Sequence, residues 1–227
     1  MPDILQALRS TTLELVRVQD ESDDVRSLCL KPNRTFRHRA GRHGLFTPPD
    51  RADTHPFTLA SAPGEEHVII GTRIGTGSAY KERLAHLGPG ETMTMRGPLL
   101  DFTLSPEDHD VVLLAQGIGI TPFRSMLVDV DLEQRPVTTH LVHVACGDHT
   151  YRELTCSLAD DAAYVTGSAD FTAAAASAAE HLGADAGYYL SGSPEFVKAT
   201  TTLLTSKGVP AKRIKHDTFT GYTTKQA

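Results

Sequence analysis

Cysteine is scarce in this 227-residue sequence. Its three cysteines, Cys29, Cys146 and Cys156, are odd in number and widely spaced. An iron–sulfur centre of the plant ferredoxin type requires clustered cysteines, so the sequence predicts that the chain carries no such centre. We expect the three thiols to be buried or chemically idle, and no metal site is predicted.

The sequence also contains no apolar stretch near the roughly 20 residues that a membrane-spanning helix requires. Its first residues show neither the basic nor the apolar part of a secretory signal. We therefore expect a soluble, cytoplasmic protein without a transmembrane segment. The net charge of −6 falls on residues 107–227, which hold 9 basic and 15 acidic residues. That distribution argues against a nucleic-acid partner.

The hydrophobic pattern changes near Pro106. Before it, short strand-like runs alternate with turn residues, as in a small antiparallel barrel. After it, strand and helix signals alternate, which predicts a parallel sheet with helical crossovers. We therefore predict two domains, residues 1–106 and 107–227. The predicted strands of the first are 13–18, 26–30, 56–60, 68–72 and 92–96, and the predicted elements of the second are 111–115, 122–130, 139–145, 151–158, 171–182, 187–190 and 194–206.

A glycine turn follows the apolar run 111–115. That run does not alternate, which is typical of a strand buried on both faces, and Thr121 and Pro122 predict an N-cap and a first helical residue. Gly117 and Gly119 would let the backbone approach a ligand, and the helix N-terminus attracts anions. The turn therefore predicts a pyrophosphate site. A plain tight turn is the alternative, because Pro122 takes the place of the third glycine in the usual dinucleotide motif.

With its Thr-Pro continuation, this turn resembles the Gly-Gly-x-Gly-x-Thr-Pro turn of the ferredoxin–NADP reductase superfamily. Gln116 stands where that family usually has its first glycine. Upstream, His55-Pro56-Phe57-Thr58 resembles the superfamily's flavin motif in the form found in ferric-reductase and NADPH-oxidase relatives. The resemblance implies an antiparallel β-barrel flavin domain followed by an α/β parallel-sheet nucleotide-binding domain. It also implies FAD as cofactor, in preference to FMN.

The resemblance gives each residue of the flavin motif a role. Phe57 packs on the isoalloxazine ring, Thr58 places a hydroxyl near flavin N5, and His55 takes the place of the usual arginine at the flavin phosphates. Pro56 is counted as a cofactor contact. An aromatic face suits a flat ring and a hydroxyl can bond a ring nitrogen, but a neutral histidine lacks arginine's fixed charge. The alternative is an edge strand with Phe57 in the core.

A second glycine turn, Gly75-Thr76-Gly77-Ser78, precedes helix-forming residues, with Ser78 as a natural N-cap. The superfamily places a Gly-x-x-Ser-type turn against the flavin pyrophosphate, so that role falls on Gly77 and Ser78. Thr72 is counted with them as a cofactor contact. A capped surface helix is the alternative. The run 92–96 then stops at Gly-Pro, similar to the closing strand of the family's flavin barrel.

Two later segments resemble the nicotinamide end of the site. Ser191-Gly192-Ser193 is similar to the superfamily's Cys-Gly-Pro turn, with Ser191 in place of the cysteine and Ser193 in place of the proline. Ser191 would orient the nicotinamide, with Gly192 and Ser193 as cofactor contacts, although a plain turn serine is the alternative. The last part resembles the family's acidic-x-aromatic strand. There Phe219 or Tyr222 would cover the flavin face that nicotinamide enters, or either ring would pack in the core.

Together these elements imply a flavoprotein reductase with Thr58, Ser191 and Phe219 as its catalytic residues. Hydride would pass from NAD(P)H to FAD, and electrons would then pass to a redox protein such as a ferredoxin or an oxygenase component. Asp148 tilts the nucleotide preference toward NADH, because an acidic residue suits a ribose hydroxyl. Arg152, like the neighbouring His149, could instead contact a 2′-phosphate.

Two rival functions are compatible with the same residues. The departures at Gln116, Ser191 and His55 would suit a flavin- or nucleotide-binding module without turnover. Alternatively, the chain would be an iron or flavin reductase that holds flavin loosely as a substrate. A basic cluster near the end of the chain would suit an acidic electron carrier or would be a solvated helix end; it comprises Lys207, Lys212, Arg213 and Lys215.

Overall fold

The computed structural model describes residues 10–22, 24–35 and 37–219. Tyr222 lies outside the described residues. The strands are β1 (Ser10–Ser22), β2 (Val25–Pro32), β3 (His43–Thr47), β4 (His55–Thr58), β5 (Val68–Arg73), β6 (Thr92–Leu99), β7 (Asp110–Gln116), β8 (Thr138–Val144), β9 (Asp161–Val165), β10 (Gly187–Gly192) and β11 (Ile214–Thr218). The helices are α1 (Ala79–Ala85), α2 (Thr121–Leu132), α3 (Arg152–Leu158), α4 (Ser168–Leu182) and α5 (Pro194–Ser206), with 3₁₀ turns at Gly117–Ile120 and Ala211–Arg213.

The first six strands form an antiparallel sheet in the order β4-β3-β6-β1-β2-β5. Its two ends approach each other, because the Ala60 N–H donates to the Ile69 carbonyl at 2.8 Å. Alternation places one face inside, as in β6, where buried Met93 and Met95 alternate with exposed threonines. This confirms the predicted antiparallel barrel.

The other five strands form a parallel sheet in the order β11-β10-β7-β8-β9. Its central strand β7 is buried from Val111 to Ala115, as its unbroken apolar run predicts. One hydrophobic core packs α2 against the sheet through Phe123 and Met126. A second core packs α4 and α5 against it through residues such as Phe171. The predicted two-domain fold class is confirmed, and the boundary near Pro106 stays a prediction.

Three details differ from the sequence-based expectations. β3 and β9 were not predicted, because short strands are defined by their partners as much as by their own residues. β6 does not stop at Gly97-Pro98 but continues to Leu99. It continues because His43 of β3 pairs with Leu99, and local sequence cannot show that pairing.

Of the predicted N-caps, the one at Ser193 is confirmed and the one at Thr121 is wrong. Ser193 caps α5, since its Oγ accepts a hydrogen bond from the Phe196 N–H at 3.2 Å. Thr121 is not an N-cap: it is the first residue of α2, and its Oγ1 donates to the Ile118 carbonyl at 2.9 Å. The 3₁₀ turn before α2 supplies that carbonyl. Ser78 occupies the N-cap position of α1 without a side-chain capping bond.

Two further sequence-based expectations concern the cysteines and the membrane. Cys29 is buried as expected, whereas Cys146 and Cys156 are exposed, and all three are free thiols. None of the helices in the described ranges is both long enough and apolar enough to cross a membrane.

Candidate active site

Two predicted nucleotide turns lie side by side at the carboxyl ends of β7 and β10, which are paired strands. Gln116, which stands where the family usually has its first glycine, joins the two turns. Gln116 Oε1 accepts a hydrogen bond from the Ser193 N–H at 3.1 Å. Carboxyl ends of parallel strands are where open α/β sheets bind ligands. The glutamine therefore holds the two turns together at the edge where a nucleotide is expected.

The two glycines of the first turn serve different purposes. A Cβ on Gly119 would lie 2.3 Å from the carbonyl oxygen of Ser191, so this glycine lets the turn pack against β10. Gly117 has a φ of +53°, and its nearest neighbour would be a terminal nitrogen of Arg73 at 3.3 Å. Gly119 therefore satisfies an internal contact, and Gly117 is the glycine whose open side is bordered by a cation.

A buried histidine, His143, contacts the backbone of the turn at Gly117. His143 Nε2 lies 2.9 Å from the Gly117 carbonyl and donates to it. Burial lowers the pKa of His143 to about 4, so the ring is neutral at pH 7. Its ring lies edge-on to that of His149, 4.9 Å between centroids. Sequence reasoning missed this residue, although a histidine inside the apolar run 139–145 was a visible signal.

Two cations lie near the glycine turns. Arg73 ends β5, and its half-exposed side chain approaches Asp24 with Nε 3.5 Å from Oδ2. Lys81 of α1 is near enough that the charge of Arg73 adds to the effect of burial in lowering the pKa of the lysine. Sequence reasoning missed both. Neither could be found from spacing, because the fold brings the end of β5 beside the turn after β7, and Lys81 is near Arg73.

On the barrel side, the predicted Thr58 is buried in a polar contact. Thr58 Oγ1 lies 3.0 Å from His43 Nε2, in hydrogen-bond geometry. The same nitrogen lies 3.1 Å from Asp217 Oδ2. His43 is on β3, Thr58 on β4 and Asp217 on β11, so this contact joins the barrel to the last strand of the parallel sheet. Neither His43 nor Asp217 was among the predicted site residues.

The other two predicted catalytic residues lie next to this contact. Ser191 pairs with Asp217 in the register of β10 and β11. The Ser191 hydroxyl is buried and has no hydrogen-bond partner among the described residues. Phe219 is held by its N–H, which donates to the Gly192 carbonyl at 2.9 Å, and its ring lies 6.2 Å from that of His43. The structure thus brings Thr58, Ser191 and Phe219 together.

The rest of the flavin motif surrounds a tyrosine. The His55 ring lies against Tyr80, with 3.9 Å between ring centroids and a tilt of 34°, and its Nε2 is 3.3 Å from a carboxylate oxygen of Asp53. Phe57 is half-buried and lies nearly parallel to Tyr80 at 6.0 Å. Pro56 is exposed between them. Phe57 also meets the barrel core through Phe46, so the core-packing alternative accounts for part of its surface.

The remaining predicted cofactor contacts are spread along the two domains. Thr72 is buried, Ser78 is half-buried and Pro122 is buried at the start of α2. Gly77 has a φ of +71° and open space where a Cβ would be. Asp148 is exposed in the loop after β8. The roles assigned to these residues stay predictions.

No family model matches the chain. It is 27% identical over 233 residues to a flavohemoprotein of Burkholderia sp. (strain TH2), which covers 90% of this chain and 58% of the relative. The chain thus spans less than two thirds of that relative. Among solved structures, the cytochrome P450 reductase of Amycolatopsis matches with a TM-score of 0.79 at 20% identity, over 95% of this chain and 71% of that one.

A ferredoxin NADP+ reductase from Neisseria gonorrhoeae, solved with bound FAD and NADP, matches with a TM-score of 0.79 at 16% identity. The match covers 92% of this chain and 98% of that one, so both domains are included. The chain therefore has the same two-domain fold as these two solved structures, and the predicted resemblance is confirmed at the level of the fold.

Proposed function

We propose that this chain is an NAD(P)H-dependent flavoprotein reductase. It passes hydride from NAD(P)H to bound FAD and then passes electrons to a separate acceptor, such as a ferredoxin or an oxygenase component. The observation that carries the proposal is a series of contacts: Thr58 contacts His43, His43 contacts Asp217, and Asp217 lies opposite Ser191 in the register of β10 and β11. Through it, the predicted flavin motif and the predicted nicotinamide turn lie at one place between the two sheets.

The barrel residues fit a flavin. Phe57 offers a partly exposed aromatic face, and Thr58 offers a hydroxyl beside it in sequence on the same short strand. Arg51 lies over the Tyr80 ring at 6.0 Å, and both of its hydrogen bonds to Asp53, at 2.6 and 2.9 Å, engage its charge within the chain.

The parallel-sheet residues fit a nicotinamide nucleotide. The turn at Gly117 has its open side beside Arg73, which suits a pyrophosphate. The buried Ser191 hydroxyl has no protein partner among the described residues, and an amide-bearing ligand would satisfy it. Asp148 favours NADH over NADPH, since a carboxylate would repel a 2′-phosphate.

FAD, when bound, supplies the ring nitrogen that accepts hydride and the capacity to release electrons one or two at a time. The protein's share of the chemistry is alignment. Thr58 would hydrogen-bond near the accepting nitrogen, Ser191 would orient the donor, and Phe219 would cover the flavin face that the donor enters. Holding the nicotinamide and flavin rings in reactive contact would supply much of the acceleration of hydride transfer. No acid–base pair is required for this step.

The acceptor is proposed to bind away from the basic cluster near the end of the chain. Lys215 Nζ donates to the Thr103 carbonyl at 3.1 Å, and Arg213 forms an ion pair with the buried Asp108 at 3.2 Å. Lys207 pairs with Glu180 at the surface. Because three of its four cations are engaged within the chain, this cluster offers an acidic carrier little free charge.

The first test is the visible absorbance of the purified protein supplied with FAD, recorded without oxygen before and after stoichiometric NADH or NADPH. We expect a flavin band that bleaches, and faster bleaching with NADH. A band that persists with both nucleotides would identify a binding module without turnover. A protein that never retains FAD on gel filtration yet turns over added flavin would instead use flavin as a substrate.

A further inference from the structure

Three buried polar groups from three strands meet between the barrel and the parallel sheet. His43, Thr58 and Asp217 are 4%, 3% and 9% exposed. His43 Nε2 lies 3.0 Å from Thr58 Oγ1 in hydrogen-bond geometry, and 3.1 Å from Asp217 Oδ2, which has no hydrogen-bond partner among the described residues. Which atom carries the hydrogen in the contact with Thr58 decides where the threonine hydroxyl points.

The surroundings of the other ring nitrogen, Nδ1, indicate which nitrogen of His43 carries the hydrogen. His43 Nδ1 is buried and has no hydrogen-bond partner among the described residues. A hydrogen on Nδ1 would therefore be a buried donor without an acceptor, an arrangement that native proteins avoid. In the neutral ring, the hydrogen is consequently favoured on Nε2.

The carboxylate of Asp217 gives the same answer independently. An ionised carboxylate only accepts hydrogen bonds. Oδ2 lies 3.1 Å from Nε2 but makes no hydrogen bond with it, so the carboxylate acts on the ring as a nearby negative charge. That charge repels a lone pair on Nε2 and stabilises an N–H that points at Thr58. A doubly protonated ring would also carry a hydrogen on Nε2. In each of these states His43 donates and Thr58 accepts.

A threonine hydroxyl has one hydrogen to donate. If its oxygen accepts from His43, its own hydrogen points away from the histidine and can be given to a ligand. We infer that Asp217 and His43 form a positioning pair that turns the Thr58 hydroxyl into a hydrogen-bond donor toward flavin N5. This inference rests on the proposed function. The pair acts through Thr58 and does not itself contact the flavin.

The tautomer of His43 is tested directly, with or without flavin. The full chain is labelled with ¹⁵N-histidine, and two-bond ¹H–¹⁵N couplings show which ring nitrogen carries hydrogen; loss of the signals in His43→Gln assigns them. We expect hydrogen on Nε2. A neutral ring with hydrogen on Nδ1 would overturn the inference. Because this readout needs no turnover, it is informative even if the proposed reductase activity fails.

The connection to Thr58 is tested by a double-mutant cycle. Asp217→Asn removes the charge and adds a donor that can reverse the His43 contact. We expect a rate of flavin reduction roughly tenfold to a hundredfold lower, the scale of losing one aligned donor, with the NADH Kd little changed. Thr58→Val should lower the rate similarly and shift the flavin absorbance in the same direction. Adding Asp217→Asn to Thr58→Val should then change little.

A second histidine–aspartate pair provides the matched control. His140 Nδ1 lies 3.7 Å from Asp161 Oδ2 at the surface of the parallel sheet. Asp161→Asn should leave the rate, the absorbance and the His43 signals unchanged. His43→Gln, which retains a donor, should keep more of the rate than His43→Phe. Equal loss from Asp217→Asn with and without the Thr58 hydroxyl would contradict the inference, since the aspartate would then act independently of Thr58.

Discussion

His143 illustrates what burial does to a single titratable group. Its side chain is wholly buried in β8, and burial outweighs the Gly117 carbonyl, which alone would raise its pKa. The pKa of His143 therefore falls from 6.5 to about 4. Between pH 4 and pH 6.5, the folded chain therefore keeps the His143 ring neutral, whereas the unfolded chain binds a proton there.

This shift predicts an acid-dependent loss of stability. The contribution of neutral His143 is complete above pH 6.5 and is lost as the pH falls toward 4, because the unfolded chain then binds the extra proton. We expect a loss of about 2 kcal/mol at pH 5 from this residue. His143→Gln, which can still donate to Gly117, should therefore show a shallower fall in unfolding free energy between pH 7 and pH 5.

The comparison is made by urea unfolding at both pH values. His140→Gln, on the same strand, should follow the wild-type dependence, because His140 is only half-buried. Parallel pH profiles for wild type and His143→Gln would show that the buried ring is not the source of the acid sensitivity.

Among single residues, the sequence predicted the glycines and small polar groups of the candidate site but not the groups that contact them. Thr58 and Ser191 were found because they lie in recognisable local motifs. His43 and Arg73 were not, because nothing beside them in sequence refers to β11 or to the turn after β7. Their importance arises only from neighbours far away along the chain.

At the scale of elements, the 3₁₀ turn Gly117–Ile120 must fit closely against β10. A Cβ on Gly119 would meet backbone atoms of Ser191 at 2.3 and 2.7 Å, and backbone cannot rotate away as a side-chain end can. Gly119→Ala should therefore displace the turn or the strand. We expect a loss of about 1–3 kcal/mol in unfolding free energy, as for other overpacked sites, together with weaker NADH binding.

Gly147→Ala is the matched control for that variant. Gly147 lies in the exposed loop after β8 and has nothing within 4 Å of a Cβ position. Its stability and NADH affinity should stay near the wild-type values. If Gly119→Ala behaved like Gly147→Ala in urea unfolding and NADH titration, the close packing of the turn on β10 would not be the reason for this glycine.

Among the elements, long and strongly patterned segments were predictable and short paired ones were not. α5 was predicted over its observed range, since Ser-Pro marks its start and a glycine follows its end. β9 and β3 were missed, because five-residue strands depend on the neighbours that pair with them.

At the scale of the whole molecule, α2 fastens the parallel sheet to the barrel. Arg124 donates to both carboxylate oxygens of Glu65, at 2.8 and 2.9 Å, and to the Ala60 carbonyl at 2.7 Å. Ser125, the next residue, donates to the Ser61 carbonyl at 2.7 Å. A nearly buried guanidinium thus makes three hydrogen bonds between α2 and the segment that follows β4.

Removing the charge of Glu65 should weaken this attachment. Glu65→Gln leaves Arg124, whose side chain is 9% exposed, without its counter-charge. We expect a loss of about 3 kcal/mol, and less cooperative unfolding because the two sheets are joined less firmly. Urea unfolding is followed by tyrosine fluorescence, which is suitable because the chain has no tryptophan, and in parallel by flavin fluorescence.

Glu180→Gln serves as the comparison, because Glu180 pairs with Lys207 at the exposed surface. Surface pairs contribute about 0–1 kcal/mol, so this variant should unfold as the wild type does. Coincident, unshifted transitions for Glu65→Gln would show that the cross-domain ion pair adds no net stability.

The sequence by itself determined the two kinds of sheet, the longer strands and helices, and the local motifs of the candidate site. Hydrophobic periodicity, glycine turns and helix starts are local properties, because they depend on residues that are close together in the sequence. Tertiary structure alone decided that Asp217 and His43 meet Thr58, that Arg73 borders Gly117 and that Gly119 packs on Ser191. Those contacts join residues from different strands and both domains, and burial then changes the energetics of groups such as His143 in ways that neighbours in sequence do not reveal.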